Sequence, residues 1–387
     1  MFAKPIYPFR MPGNVIFGIN ALNRLQDEVK SFGAQKVLLI TDPQIAATPM
    51  PEKIVDLLKG AGVSCTVYGE ARPEPPASSI QACSDIIRGD HFDLLIALGG
   101  GSAMDVTKGG SVVAANGGKL TDYYGIEKVP RRGLPMIMIP TTSGTGAEMT
   151  MNAVFVDDAT RTKMTVQSRF IMPDVALVDP ELTISCPAKL TASTGLDALA
   201  HAIESYTAQK ATVMTDMFAL KAIEVIGKWL RTAVYDRGNI EARYNMSLGS
   251  MLAGVCLANS GVNAVHALAH SLGGRFGVPH GVANGLLLPY VMEYNFLGDV
   301  PKFAGIAEAM GVDISCMTER EAAEEAIRVV AELCEDVGCP RKIELLGVGK
   351  EGLPELVQGA MNNTRSMSNN PRELSAEDVL AIFNNAY

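Results

Sequence analysis

The sequence predicts a chain in two parts, an α/β half built on a parallel sheet followed by an all-helical half, with the boundary near residue 185. Three observations predict it. Apolar runs that stop at Gly or Pro alternate with helical patterns through the first half. From about Pro187 strand-like runs nearly vanish, and long patterns rich in Ala, Leu and Met replace them. At 387 residues the chain also exceeds what one ordinary core encloses.

In chain order, "KVLLIT" (36–41) and "CTVYG" (65–69) read as strands on either side of an amphipathic helix at 51–60. "FDLLIALGG" (92–100) and "PMIMIP" (135–140) read as buried strands, and such runs between helices indicate a parallel sheet covered on both faces. The stretch from "MNAVFVDD" to "DVALVDP" (151–180) reads as irregular strands returning over that sheet. No repeat or low-complexity tract interrupts the pattern. The two domains expected are therefore 1–185, α/β, and 186–387, helical.

Composition narrows the class. With 48% hydrophobic and 19% charged residues the chain is a well-buried globule rather than a disordered one. The formal charge of −9 comes from interspersed acids and bases, which speaks against a nucleic-acid partner. Seven cysteines without a CxxC pair fit packing residues in a reduced, cytoplasmic interior. The N-terminal "MFAKPIYPFRMP" has no apolar core of a signal peptide. Between Tyr244 and Gly274 no charged residue occurs over 31 positions, enough to span a bilayer. Asn245, Asn259, Asn263, His266 and His270 make that stretch costly in lipid, so a buried helix pair beside a functional cavity is expected, and no membrane.

Two loops carry the first chemical signal. "IALGGGSAMDVTKGG" leaves a strand and opens a helix near Ser102, where free N–H groups and the helix dipole suit a pyrophosphate. Its spacing is not GxGxxG, and an ordinary tight turn would look similar. "PTTSGTGAE" (140–148) is a second glycine- and hydroxyl-rich loop at the end of a buried strand, and two such loops on one sheet favour a bound nucleotide. Asp42, closing "KVLLIT", can accept from a ribose diol and repel a 2′-phosphate, or simply open a turn with Pro43.

The second signal lies in the helical half. In "TGLDALAHAIESY" an apolar helix carries Asp197 and His201 four residues apart, hence on one face. His266 and His270 repeat that spacing in "VHALAH", and His280 follows in "VPHGVANG"; the fifth histidine, His91, stands apart as a surface residue. One acid and several imidazoles on buried, otherwise uncharged segments need a common partner, and a divalent ion such as Fe or Zn satisfies them together. Spacing alone does not choose between His266 and His270, which face the same way.

At these residues the chain resembles the iron-containing, group III alcohol dehydrogenases. "GGGSAMDVTK", "PTTSGTGAE", "STGLDALAHAIESY", "GVNAVHALAHSLGG", "VPHGVANGLLLPYVMEYN" and "NNPREL" match the family's signatures in order and cover most of the chain. The resemblance implies an N-terminal dinucleotide-binding α/β domain with a parallel sheet and an all-helical metal-binding domain, the dehydroquinate-synthase-like fold. It implies that Asp197, His201, His266 and His280 bind Fe²⁺ or Zn²⁺, and that His270 lines the substrate cavity and relays protons. It further implies that Gly99, Gly100, Gly101, Ser102, Thr141, Thr142 and Thr145 contact NAD, that Lys163 reaches the ribose, and that Asp42 sets the preference for NAD. Asn152 matches a pocket position beside the nicotinamide.

Two departures stand out. Glu74 occupies a position where many relatives have asparagine, and Thr364-Arg365-Ser366 replaces an Asp-Ala-Cys sequence. Arg365 at the pocket mouth would favour an anionic aldehyde, carboxylate or sulfonate; pointing to solvent, it would not. The implied reaction is reversible hydride transfer between a small primary alcohol and its aldehyde, by a homodimer or larger assembly of dimers. A zinc-dependent, glycerol-dehydrogenase-like enzyme shares the fold, but the Asp-x3-His pair in "DALAH" argues against its ligand set. A metal- or NAD-binding protein without turnover is the reading from another class.

Overall fold

The computed structural model describes residues 6–159 and 162–387, which form two compact units, residues 11–185 and residues 186–387 together with 6–10. In the first unit a six-stranded sheet has the order β1 (Asn14–Phe17), β9 (Val175–Val178), β6 (Met136–Pro140), β4 (Leu94–Gly99), β2 (Lys36–Thr41), β3 (Ser64–Tyr68). Every pairing in it is parallel. Helices α1 (Leu25–Ser31), α2 (Pro43–Ala46), α3 (Met50–Gly60), α4 (Ala77–Gly89) and α5 (Gly101–Asn116) connect the strands. Alternation across the pleat sends Leu38, Ile40, Leu95 and Ala97 into the core under α4 and α5, and Val37, Leu39, Leu94 and Ile96 into the core under α1 and α3. That two-sided burial is why these strands are unbroken apolar runs. After β2 the chain leaves toward one face and after β4 toward the other, so a crevice opens beyond their carboxyl ends.

A small second sheet is formed by β5 (Gly125–Ile126), β8 (Lys163–Gln167) and β7 (Asn152–Val156). The stretch 151–180 is thus not a set of irregular strands lying over the main sheet. Its last strand, β9, is wholly buried between β6 and β1, and only β7 and β8 pair apart from the main sheet, as an antiparallel hairpin. Residues 6–10 also differ from their assignment to the α/β half. Phe9 stacks on Phe218 at 5.9 Å, and Arg10 N–H donates to Asn259 Oδ1 at 2.7 Å, within the helical unit.

The helical unit contains α6 (Ala188–Thr207), α7 (Val213–Tyr235), α8 (Ile240–Ser260), α9 (Ala264–Phe276), α10 (His280–Asn295), α11 (Val300–Ala309), α12 (Glu319–Asp336), α13 (Leu353–Asn362), α14 (Thr364–Met367) and α15 (Ala376–Ala386). Every residue of α6 from Gly195 to Thr207 is buried, as befits a helix enclosed on all sides. The charge-free stretch, residues 244–274, lies within α8 and α9, which are bent by 101° at the break between them, residues 261–263. No single helix among the described residues is long and apolar enough to cross a membrane.

Candidate metal centre and dinucleotide cradle

The centre is assembled by three helices. Asp197 and His201 come from one stripe of α6, His266 from the first turn of α9, and His280 from the first residue of α10. Asp197 Oδ1 lies 3.9 Å from His201 Nε2, 3.7 Å from His266 Nε2 and 3.6 Å from His280 Nε2. Ligating atoms of Asp197, His201 and His266 fall within 4.8 Å of one another, while His280 joins through Asp197 and is the more exposed ring at 28%. Donors held about 2.1 Å from one ion in a tetrahedron stand about 3.4 Å apart, so Asp197, His201 and His266 are spaced to share a cation after modest side-chain shifts, and His280 would complete the set by swinging in from its place beside Asp197. Burial alone would raise the Asp197 carboxyl; the rings of His201, His280 and His266 outweigh it and hold it far below the usual carboxylate range.

Two residues not singled out from the sequence complete the surroundings. Glu204, the next residue down the Asp197–His201 stripe, accepts from His266 Nδ1 through Oε2, and from the backbone N–H of Asn263 (2.9 Å) and His266 (3.2 Å) through Oε1. Asn284, one turn beyond His280, donates to Asp197 Oδ1 at 2.7 Å, with its Nδ2 3.2 Å from both His266 Nε2 and His280 Nε2. Its Oδ1 is buried without a hydrogen-bond partner, a polar atom aimed into a polar site. The spacing 197, 201, 204 was visible in the sequence as one helical stripe; Asn284 repeats it at 280, 284. Burial opposes a charged His266, yet Glu204 and Asp197 raise its pKa to about 9. An incoming cation therefore displaces a proton.

His270 stands beside the donor set. Its ring stacks on His280 at 5.1 Å and meets His266 edge-on at 6.0 Å, while Asn363 Nδ2 lies 3.4 Å from its Nδ1. The geometry thus separates the two histidines that spacing left equivalent. Arg365, on α14, is exposed, and among the described residues its guanidinium has no carboxylate partner; removal of water around it lowers its pKa. His91 is exposed at a turn with φ +47°.

The cradle lies at the carboxyl ends of β2, β4 and β6. Gly99 has φ +153°, and a Cβ there would meet Ala103 Cβ at 2.9 Å and Asp42 Oδ2 at 3.2 Å. A Cβ on Gly101 would meet Thr145 at 2.9 Å, and one on Gly100 would meet Thr142 Oγ1 at 3.3 Å. Thr141 N–H donates to Gly99 O at 3.0 Å, which ties the two loops edge to edge. Helix α5 starts at Gly101 with no side-chain cap, so no capping side chain takes up the N–H groups of its first turn. Asp42 does open a turn: its Oδ1 accepts from Gln44 and Ile45 N–H and caps α2, leaving Oδ2 beside Gly99.

Beneath the cradle, Lys108 of α5 is wholly buried and donates to the carbonyls of Ala147 (2.7 Å), Thr150 (2.8 Å) and Asn152 (3.0 Å). Burial pushes the nearby carboxyls of Asp105 and Glu148 up to about 7 and brings Lys108 down to about 8. Asn152 Oδ1 is buried without a partner. Lys163, implied by the resemblance at the cofactor ribose, pairs with Glu74 at 2.6 Å. Glu74 holds that ammonium from a left-handed turn, φ +49°, so the asparagine-to-glutamate departure and the lysine are one feature.

A parallel sheet with a glycine-hydroxyl cradle, joined in one chain to a helical unit with an acid and three imidazoles gathered on a point, defines a metal-dependent dinucleotide oxidoreductase. Two family models match, "Iron-containing alcohol dehydrogenase" over residues 12–180 and "Fe-containing alcohol dehydrogenase family, C-terminal" over residues 191–387. The chain belongs to the iron-containing alcohol dehydrogenases. It is 36% identical over 378 residues to the NAD-dependent methanol dehydrogenase of Bacillus methanolicus, covering 98% of this chain and 99% of the relative. A crystal structure of 1,3-propanediol oxidoreductase superposes with a TM-score of 0.97 at 35% identity, covering 99% and 100%. That of sulfoacetaldehyde reductase from Bifidobacterium kashiwanohense in complex with NAD+ gives 0.89 at 30% identity, covering 99% of each chain.

Proposed function

We propose that this protein is an NAD(H)-dependent, iron-type alcohol dehydrogenase and aldehyde reductase that moves hydride between a small primary alcohol and its aldehyde. The convergence of Asp197, His201, His266 and His280 carries this reading. A divalent ion there, Fe²⁺ or Zn²⁺, supplies Lewis-acid polarisation of the substrate oxygen. With a divalent ion held there, one carboxylate and three neutral imidazoles would leave the site a net positive charge, suited to a developing alkoxide. His270, on the part-exposed His280 side, is placed to pass a proton toward solvent. Gly99 to Ser102 with Thr141, Thr142 and Thr145 hold the pyrophosphate, and Asp42 Oδ2 receives the ribose and disfavours a 2′-phosphate. Asn152 Oδ1 is a free acceptor for the nicotinamide amide. Lys163 reaches the ribose only by sharing its charge with Glu74.

The test is anaerobic loading with Fe²⁺ or Zn²⁺ and an NADH-oxidation assay over an aldehyde panel. Turnover that depends on the metal supports the reading; metal-independent or absent turnover across the panel overturns it. A second reading, a short anionic aldehyde as substrate, is favoured by Arg365, whose guanidinium is partly shielded from water although the residue is exposed, has no carboxylate partner among the described residues and sits two residues past the asparagine that meets His270. Arg365→Ala should then raise KM for carboxylate- or sulfonate-bearing aldehydes at least tenfold and leave neutral ones unchanged. Seven free thiols fit the cytoplasm, and the family resemblance supports a homodimer or an assembly of dimers, which light scattering on the purified protein would measure.

A further inference from the structure

We infer that Glu204 is a positioning residue for the metal centre: it fixes the tautomer and the aim of His266, and clamps the helix end that carries this ring. The inference rests on the metal reading above. Glu204 is 1% exposed on an apolar helix, a place where a carboxylate persists only if both oxygens are satisfied. Both are. Oε2 accepts from His266 Nδ1, which leaves Nε2, turned toward Asp197 Oδ1 at 3.7 Å, as the nitrogen that would give up its proton and offer a lone pair to a cation. Oε1 accepts the N–H groups of Asn263 and His266, two donors at the start of α9 that lack partners within the helix. The Asn263 side chain returns the contact by donating to Glu204 O at 3.1 Å and to Thr207 Oγ1 at 3.3 Å. One carboxylate thus orients the ring and anchors its backbone, at the 101° bend between α8 and α9.

Glutamine at 204 keeps the shape but cannot keep the pattern. Its amide N–H must face either the His266 Nδ1 proton or the two backbone N–H groups, so one acceptor is lost whichever way it turns. Glu204→Gln should weaken Co²⁺ and Zn²⁺ affinity 10–100-fold in chelator competition and change the visible spectrum of the Co²⁺-loaded protein, with NADH binding unchanged. Wild-type affinity and spectrum in Glu204→Gln overturn the inference, even if the thermal midpoint falls, because a helix-end role alone would do that. Should Glu204→Gln not fold, Glu204→Asp carries the test. It keeps the charge but withdraws it by one methylene, and an unchanged Co²⁺ affinity and spectrum again refute the role. His266→Ala separates the two readings: if it holds metal as tightly as wild type, the centre itself is misassigned, whereas its loss of metal beside a fully competent Glu204→Gln sinks only the inference about Glu204.

Discussion

At the scale of single residues, the helical unit keeps Asp197 ionised and buried by surrounding one oxygen with three rings and the Asn284 amide. Removing either side of that balance leaves the other uncompensated. Asp197→Ala and His266→Ala should each abolish metal retention, read by elemental analysis, and reduce turnover by at least a thousandfold, while NADH fluorescence titrations stay near wild type. Normal activity without metal in either variant would remove the site assignment. Glu148 gives a prediction in pH. Burial raises its folded pKa from 4.5 to about 7, so its contribution to stability is full at low pH and is lost as pH rises through 7. Glu148→Gln should therefore unfold at nearly the wild-type temperature at pH 5 and on the order of 5 °C higher at pH 8. Equal midpoints at both pH values would contradict that burial.

At the scale of elements, glycines set the close approaches that bring the site together. A Cβ on Gly281 would meet the backbone oxygen of Ser193 at 2.1 Å, and one on Gly285 would meet Leu196 at 2.6 Å, so α10 lies hard against α6 through this pair. His280 precedes Gly281, so this close approach fixes where the backbone carrying that ring stands beside α6. Gly281→Ala should cost about 1–3 kcal/mol, because backbone cannot yield as a side chain can. It should also weaken metal binding at least tenfold by carrying His280 outward, measured by chelator competition. In the α/β unit, Gly101→Val would drive a side chain into Thr145. NADH affinity should fall at least tenfold while metal content holds; unchanged NADH affinity would place the dinucleotide elsewhere.

At the scale of the whole molecule, ligand sites on two compact units give separable linkage to stability. A ligand at a hundred times its Kd stabilises the folded form by about 2.7 kcal/mol. Chelation should lower the wild-type unfolding midpoint and leave Asp197→Ala unmoved, whereas NADH should raise both; scanning calorimetry distinguishes them. Much of this architecture was legible in the sequence. Unbroken apolar runs marked β2, β4 and β6 because a strand buried on both faces has no polar position, and glycine beside hydroxyls marked the cradle because those loops are local. The pairs Asp197–His201 and His266–His270 were visible because helical spacing is local too. What spacing could not choose was which of His266 and His270 faces the acid, since that depends on how α9 turns against α6. Nor did it reveal that β9 enters the main sheet, that residues 6–10 join the helices, or that Glu74 takes Lys163. The sequence by itself determined the elements, the loops and the supply of donors, since each is set by neighbours a few residues apart. Only the tertiary structure decided which donors share a centre and that Glu204 orients one of them from 62 residues away, since close packing between distant segments carries no local periodicity.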